Sequence, residues 1–210
     1  MRLQYLAIEG VIGAGKTTLA HKISERYGGR LLLEQHEENP FLADFYEDPQ
    51  RYAFSTQMFF LLSRYRQQQE LPQGDLFHEL LIADYLFAKD RIFATLTLDE
   101  REMSLYDRVA RLLERDILRP DLVLYLQMST ERLMKNITRR GRAYEKNMDV
   151  EYIRTLNEAY NHFFFNYNVT PLLVVNATSI DFVNRKEDFE DLLAQLSRPI
   201  SGVQYYSPPQ

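Results

Sequence analysis

An α/β fold with a parallel sheet covered on both faces is expected from three features of the 210-residue chain. Five short, nearly continuous apolar runs alternate with longer segments of helical spacing. The first run passes directly into a glycine-rich loop that opens a helix. Two later runs end in a carboxylate, at the sheet edge where open α/β folds place their ligands.

In chain order, strands are expected over residues 3–8, 31–33, 80–83, 122–126 and 172–175. Each run is bounded by polar or turn residues. Unbroken apolarity marks strands buried on both faces, because a half-exposed sheet would alternate. Helical spacing runs over residues 16–27, 50–69, 90–116, 130–140 and 150–167. No repeat or low-complexity linker divides the chain, so one domain over residues 1–197 is expected. Residues 198–210 contain three prolines and little periodicity, and are expected to form a mobile or partner-docked tail.

Composition excludes several classes. The chain carries 25 Lys+Arg against 30 Asp+Glu, a formal net charge of -5, which argues against a non-specific nucleic-acid binder. It has no cysteine, so disulfide scaffolds and thiolate metal sites are out. No apolar run approaches the roughly 18 residues of a membrane span. Glu9 interrupts the first apolar stretch, against a signal-peptide layout. A soluble, cytoplasmic protein is expected. The four histidines, His21, His36, His78 and His162, are scattered and form no metal-ligand pattern.

The loop Gly10-Val-Ile-Gly-Ala-Gly15-Lys16-Thr17 has the G-x-x-x-x-G-K-T spacing between strand and helix. Gly10, Gly13 and Gly15, with Ala14, leave backbone N–H groups free to wrap phosphates. The helix N-terminus, including Thr18, adds a favourable dipole. Lys16 brings a point charge to the β- and γ-phosphates, and the Thr17 hydroxyl suits Mg²⁺. These features predict a nucleotide with Mg²⁺ at its phosphates and a P-loop NTPase-like three-layer sandwich.

Asp84 ends the run Leu80-Leu-Ile-Ala, where P-loop proteins hold magnesium; a cap of the next helix is the plainer alternative, and the P-loop beside it favours the magnesium role. Glu34 ends Leu31-Leu-Leu and could accept the proton of an attacking hydroxyl. With Glu37 and Glu38 close by, it could also belong to a solvated acidic loop. Arg139, Arg140 and Arg142 surround Gly141 at the end of an amphipathic helix. Cations favour helix C-termini, but beside a P-loop they also suit a lid that neutralises transferring phosphate.

No guanine-reading N-K-x-D element is present, and the length favours a small-molecule kinase. Several blocks in order then carry a resemblance: Ala7-Ile-Glu-Gly-Val-Ile-Gly-Ala-Gly-Lys-Thr-Thr18, Glu38-Asn-Pro-Phe-Leu42, Phe45-Tyr46, Tyr52-Ala-Phe54, Gln57-Met-Phe-Phe-Leu61 and Arg64-Tyr65. Ala83-Asp-Tyr85, Asp90-Arg-Ile-Phe-Ala94 and Arg139-Arg-Gly-Arg142 with Glu145 complete them. Over about residues 4 to 195 the chain resembles the deoxynucleoside kinase family, in its bacterial deoxyadenosine/deoxyguanosine kinase branch.

That resemblance implies roles. Glu34 corresponds to the general base at the 5′-hydroxyl, and Gln57 to the amide that pairs with the base. Arg64 and Asp90 correspond to an ion pair at the far end of the base pocket. Tyr46 and Glu145 correspond to the ligands of the sugar 3′-hydroxyl. Arg140 and Arg142, joined by Arg139, correspond to lid arginines, and Asp84 to an acidic residue near the metal. The loop at Asp181-Phe182 would contact the donor adenine. A five-stranded parallel sheet and a homodimer packed through helices are also implied. Many relatives carry arginine where this chain has Tyr85, and proline where it has Gln35.

Without the resemblance, Gln57, Tyr46, Arg64 and Asp90 read as a core neighbour, a packed tyrosine, a surface ion-pair partner of Glu70 or Asp75, and a helix cap. Asp90 suits a base with an exocyclic amino group, so deoxyadenosine is expected first, with deoxyguanosine or deoxycytidine secondary. The rival readings are a nucleoside monophosphate kinase and a P-loop switch protein.

Overall fold

The computed structural model describes residues 3–71, 80–145 and 148–208; Asp75 and His78 lie outside them. The described strands are β1 (Tyr5–Glu9), β2 (Arg30–Leu32), β3 (Leu81–Ala83), β4 (Leu122–Gln127), β5 (Leu172–Asn176) and β6 (Val203–Tyr206). They form one parallel sheet in the order β2-β3-β1-β4-β5-β6. From β1 the chain runs to one side as β2 and β3, then crosses to β4, β5 and β6. Open α/β sheets bind ligands beyond the carboxyl ends of their strands at such a switch.

The expected count of five strands is corrected to six. The sixth lies in the segment expected to be a mobile or partner-docked tail, where Val203–Tyr206 pairs with β5 from Leu172↔Val203 to Val175↔Tyr206. The run Val-Gln-Tyr-Tyr alternates exposed and half-buried side chains, as an edge strand does, and so lacks the continuous apolarity that marks the other five strands.

Described helices are α1 (Lys16–Tyr27), α2 (Leu42–Glu47), α3 (Pro49–Gln69), α4 (Asp90–Thr97), α5 (Glu100–Leu113), α6 (Thr130–Arg140), α7 (Val150–Phe165) and α8 (Lys186–Leu196). Their ends follow local chemistry. Asp48 accepts from the Arg51 N–H and Pro49 opens α3. Gly141, at φ 68°, closes α6 in the left-handed region, as its place in the sequence suggested. The single helix expected over residues 90–116 is two helices. Leu98 turns extended, and Asp99 with Glu102 forms a capping box that starts α5 afresh.

Strand β1 is buried along its whole length, and α1 packs across β1, β2 and β3. Tyr160 and Phe164 of α7 stack on Tyr125 of β4, with ring centroids 6.3 and 4.2 Å away. Leu61, Phe87, Ala94, Tyr106 and Ala110 form a smaller core among α3, α4 and α5. These two cores fix α3 and α4 beside the carboxyl end of the sheet, where the polar residues converge.

Candidate active site

Two cavities meet at the P-loop. One is lined by Gly13, Ala14, Gly15, Lys16, Thr17 and Thr18, by the α6 side chains Arg132, Asn136, Arg139 and Arg140, by Arg142, and by Asp181 and Phe182. The other shares Lys16, Thr17, Arg140 and Arg142 and extends past Glu34 and Asp84 to Tyr46, Gln57, Arg64 and Glu145. Of the candidate site residues expected from the sequence, only Gly10 and Asp90 do not line these walls.

The loop is held in a phosphate-ready shape. Lys16 Nζ donates to the carbonyls of Gly10 (2.7 Å) and Val11 (3.3 Å), spanning the loop from inside. Gly10 leaves no room for a Cβ, which would lie 2.8 Å from that of Ala14. Phe182 packs over Gly15, and Lys22 Nζ donates to the Phe182 carbonyl at 2.8 Å, tying the residue 181–184 turn to α1. Burial, and then the charge of Lys89, push the Lys16 ammonium down to about 8.

Thr17 Oγ1 donates to Asp84 Oδ2 at 2.5 Å, and the Glu34 N–H donates to Asp84 Oδ1 at 2.8 Å. A hydroxyl and a carboxylate side by side give hard oxygen donors that fit Mg²⁺, which takes few protein ligands and completes its shell with phosphate and water. Among the described residues, no group of three or more His, Cys, Asp or Glu could hold a metal ion.

Glu34 lies between two cations. Arg64 donates to its Oε1 through Nε (2.8 Å) and through Nη2, while Lys89 Nζ donates to Oε2 at 2.8 Å. Burial alone would raise this carboxyl, but Lys89 and Arg64 outweigh it and hold it well below the usual carboxylate range. Arg64 Nη1 also lies 2.7 Å from Asp90 Oδ1, and Tyr106 donates its hydroxyl to Asp90 Oδ2 at 3.3 Å. Arg64 is thus an inward-facing residue of α3 bound to Glu34 and Asp90; Glu70 pairs with Arg66 instead. Asp90 stands behind Arg64 and orients it.

Gln57 is 2% exposed and lines the same cavity; among the described residues its amide makes no protein hydrogen bond. Tyr46 stacks on Tyr144 at 5.9 Å and 8°. Glu145 accepts from Arg140 Nε (3.1 Å) and Nη2 (2.5 Å), with Arg142 Nη1 3.8 Å away. Arg140, expected as a lid arginine, is therefore tethered to the carboxylate expected to meet the sugar.

Residues missed in the sequence share these walls. Lys89 follows the apolar stretch Tyr85-Leu-Phe-Ala88, and a lone lysine at the end of such a stretch was the available signal. Asn136 donates to the Gly13 carbonyl at 2.9 Å. Glu9, behind these walls, is fully buried and accepts from the N–H groups of Leu86 (2.7 Å) and Gly10 (3.0 Å), locking β1 to the segment after β3. Tyr144 and Arg132 line the two cavities as well.

A P-loop with its lysine, arginines at the end of α6 and a carboxylate facing a second cavity define a phosphotransferase with a small-molecule acceptor. The family model for deoxynucleoside kinases matches residues 6–201. The chain is 35% identical over 201 residues to the deoxyguanosine kinase of Bacillus subtilis, covering 93% of this chain and 97% of that one. It is 35% identical over 162 residues to the deoxyadenosine kinase of Dictyostelium discoideum, covering 76% and 66%. The solved structure of deoxyadenosine kinase from M. mycoides with bound dATP superposes with a TM-score of 0.79 at 29% identity, covering 93% and 100%. The chain belongs to the deoxynucleoside kinase family, and its reaction is the ATP-dependent phosphorylation of a deoxynucleoside.

Proposed function

We propose that the chain transfers the γ-phosphoryl of ATP to the 5′-hydroxyl of a purine deoxynucleoside, giving the 5′-monophosphate for nucleotide salvage. Deoxyadenosine is the first substrate in this reading, with deoxyguanosine or deoxycytidine secondary. The observation that carries it is the position of Glu34, on one wall with Lys16 and Thr17 and facing a cavity that ends at Gln57 and Arg64. Relatives named for deoxyguanosine, deoxyadenosine and deoxyadenosine/deoxycytidine support the substrate class.

In this reading Gln57 pairs with the base through its amide, which can both donate and accept. Arg64, oriented by Asp90, closes the far end. Tyr46 and Glu145 take the sugar 3′-hydroxyl. Glu34 accepts the 5′-hydroxyl proton as the O5′–Pγ bond forms and the bond from Pγ to the ADP oxygen breaks, the electron pair leaving with ADP. Lys16, Arg140 and Arg142, with Arg139, offset the charge on the phosphoryl oxygens. Thr17 and Asp84 would hold Mg²⁺, which supplies charge neutralisation on the phosphates. Asp181 and Phe182 flank the donor adenine. Binding of the sugar competes for Glu145 and so frees Arg140 toward the phosphates, coupling lid closure to acceptor binding.

The reading carries with it a cytoplasmic location and a homodimer. Exposed Leu62, Leu105 and Leu112 on α3 and α5 support packing through helices. The test is incubation with Mg-ATP and each common deoxynucleoside in turn. Conversion of deoxyadenosine ahead of deoxyguanosine, and no better conversion of thymidine, is expected. Thymidine as the best substrate would overturn the pocket reading, and conversion of monophosphates alone would favour a monophosphate kinase.

A further inference from the structure

Lys89 closes a single-turn 3₁₀ helix (Phe87–Lys89) three residues beyond β3 and is 3% exposed. An ammonium buried to that degree costs several kcal/mol unless an anion meets it. Its partner is Glu34 Oε2 at 2.8 Å, and among the described residues this is the only side-chain hydrogen bond that Lys89 makes. Lys89, Glu34, Arg64 and Asp90 thus form a row of alternating charge, each member at hydrogen-bond distance from the next. Buried ionic rows are weak devices for stability, because well-packed apolar side chains of equal volume do as well or better. Three of the four members line the acceptor cavity.

The lone pairs of Glu34 decide what the row does. A carboxylate offers about four acceptor positions, two on each oxygen. Arg64 uses both on Oε1, through Nε and Nη2. Lys89 uses one on Oε2. One position is left, and it is on the oxygen that Lys89 holds. We propose that Lys89 is the positioning residue that turns the free lone pair of Glu34 Oε2 toward the 5′-hydroxyl and places an unspent ammonium beside the attacking oxygen.

An ammonium has three donors, and two remain for oxygens of the acceptor or of the transferring group. In the transfer step the hydroxyl proton moves to Oε2, O5′–Pγ forms, and Pγ–O breaks toward ADP. Lys89 keeps its own protons throughout. Tyr85, fully buried, brings no charge to this end of the site; Lys89, four residues on, supplies one.

The inference rests on Glu34 being the proton acceptor, so its test includes Glu34→Gln. Lys89→Met keeps the side-chain length without the charge. The expected result is a kcat lowered by about 100-fold or more, within the range of general-base positioning, with the dissociation constant of deoxyadenosine changed by less than about threefold. The chain has no cysteine, so Lys89→Cys can be alkylated at that position alone. Alkylation is done in denaturant, with unsubstituted protein refolded in parallel as reference. Aminoethylation, which restores an ammonium at lysine length, should recover kcat to within about tenfold of that reference, and neutral carbamidomethylation should not. Should Lys89→Met not fold, the alkylated pair decides. A kcat within about threefold of the unsubstituted enzyme for Lys89→Met, an equal loss of nucleoside binding, or no difference between the two alkylated forms would overturn the proposal. If Glu34→Gln is inactive while Lys89→Met is active, only the role of Lys89 falls. If Glu34→Gln retains activity, the proton-acceptor reading falls with it.

Discussion

Replacing Arg64 by methionine is expected to cost stability as well as activity, and the structure sets the scale. The guanidinium is 3% exposed and pairs with two carboxylates, Glu34 and the 1% exposed Asp90. Methionine fills much of the volume, so the loss is mainly electrostatic. Glu34 would retain Lys89, whereas Asp90 would retain, among the described residues, only the side-chain hydrogen bond from the Tyr106 hydroxyl at 3.3 Å. Breaking a buried pair from one side costs roughly 3–5 kcal/mol. Burial already pushes the Asp90 carboxyl up against the pull of Arg64, so the stranded group takes up a proton, which caps the loss near that figure. In a chain of this size each kcal/mol moves Tm by about 2–4 °C, so Arg64→Met should lower it by roughly 6–20 °C. Adding Asp90→Asn removes the stranded carboxyl and should recover about 2 kcal/mol. Thermal and urea melts of the two single variants and the double variant complete the cycle. A loss below about 1 kcal/mol for Arg64→Met, or a double variant no more stable than that single one, would refute the ion-pair account.

Three further outcomes follow from the geometry. Gly13→Ala would set a Cβ 2.8 Å from the Leu133 carbonyl oxygen at a φ of +86°, so the P-loop must shift against α6. ATP binding should weaken by about tenfold or more while the fold survives, as calorimetry and melting would show. Ending the chain at residue 197 strips β6 from β5 and should lower stability by on the order of 2–5 kcal/mol, at about 1 kcal/mol per ladder bond. An unchanged melting temperature would contradict the pairing. Lys16, pushed down to about 8, loses its charge in the free enzyme as pH rises, whereas bound phosphates keep it protonated. The dissociation constant of ATP should therefore rise about tenfold between pH 7 and pH 9, with proton uptake on binding; a constant value across that range would count against the shift.

What the sequence showed followed from how local each signal was. The P-loop is written in consecutive residues, because backbone groups do its work and glycines must stand at set positions. The five continuous apolar strands were legible for a similar reason. Strand β6 was not, since one of its faces is exposed and its pairing depends on β5, about thirty residues earlier. The break at Leu98 was recoverable from Asp99 and Glu102, a capping box that the helical spacing across it obscured. In the site, Glu34 and Asp84 announced themselves by ending strands, but their partners did not. Arg64 and Lys89 reach Glu34 across 30 and 55 residues of sequence, and only the packing of α3 and the 3₁₀ turn against the sheet edge joins them. The resemblance marked Arg64; Lys89 showed only as a lone lysine closing the apolar stretch Tyr85–Ala88, a pattern that a surface lysine can share.

The central claim is that Glu34 takes the 5′-hydroxyl proton of a deoxynucleoside in an ATP-dependent transfer. The most direct test is to measure deoxyadenosine 5′-monophosphate formation by the unsubstituted chain and by Glu34→Gln, together with deoxyadenosine binding by calorimetry. The account predicts product from the unsubstituted chain, and a variant that still binds nucleoside but turns over about 10²- to 10⁴-fold more slowly. Turnover of the variant within about threefold of the unsubstituted chain, or no nucleoside converted by either, would contradict it.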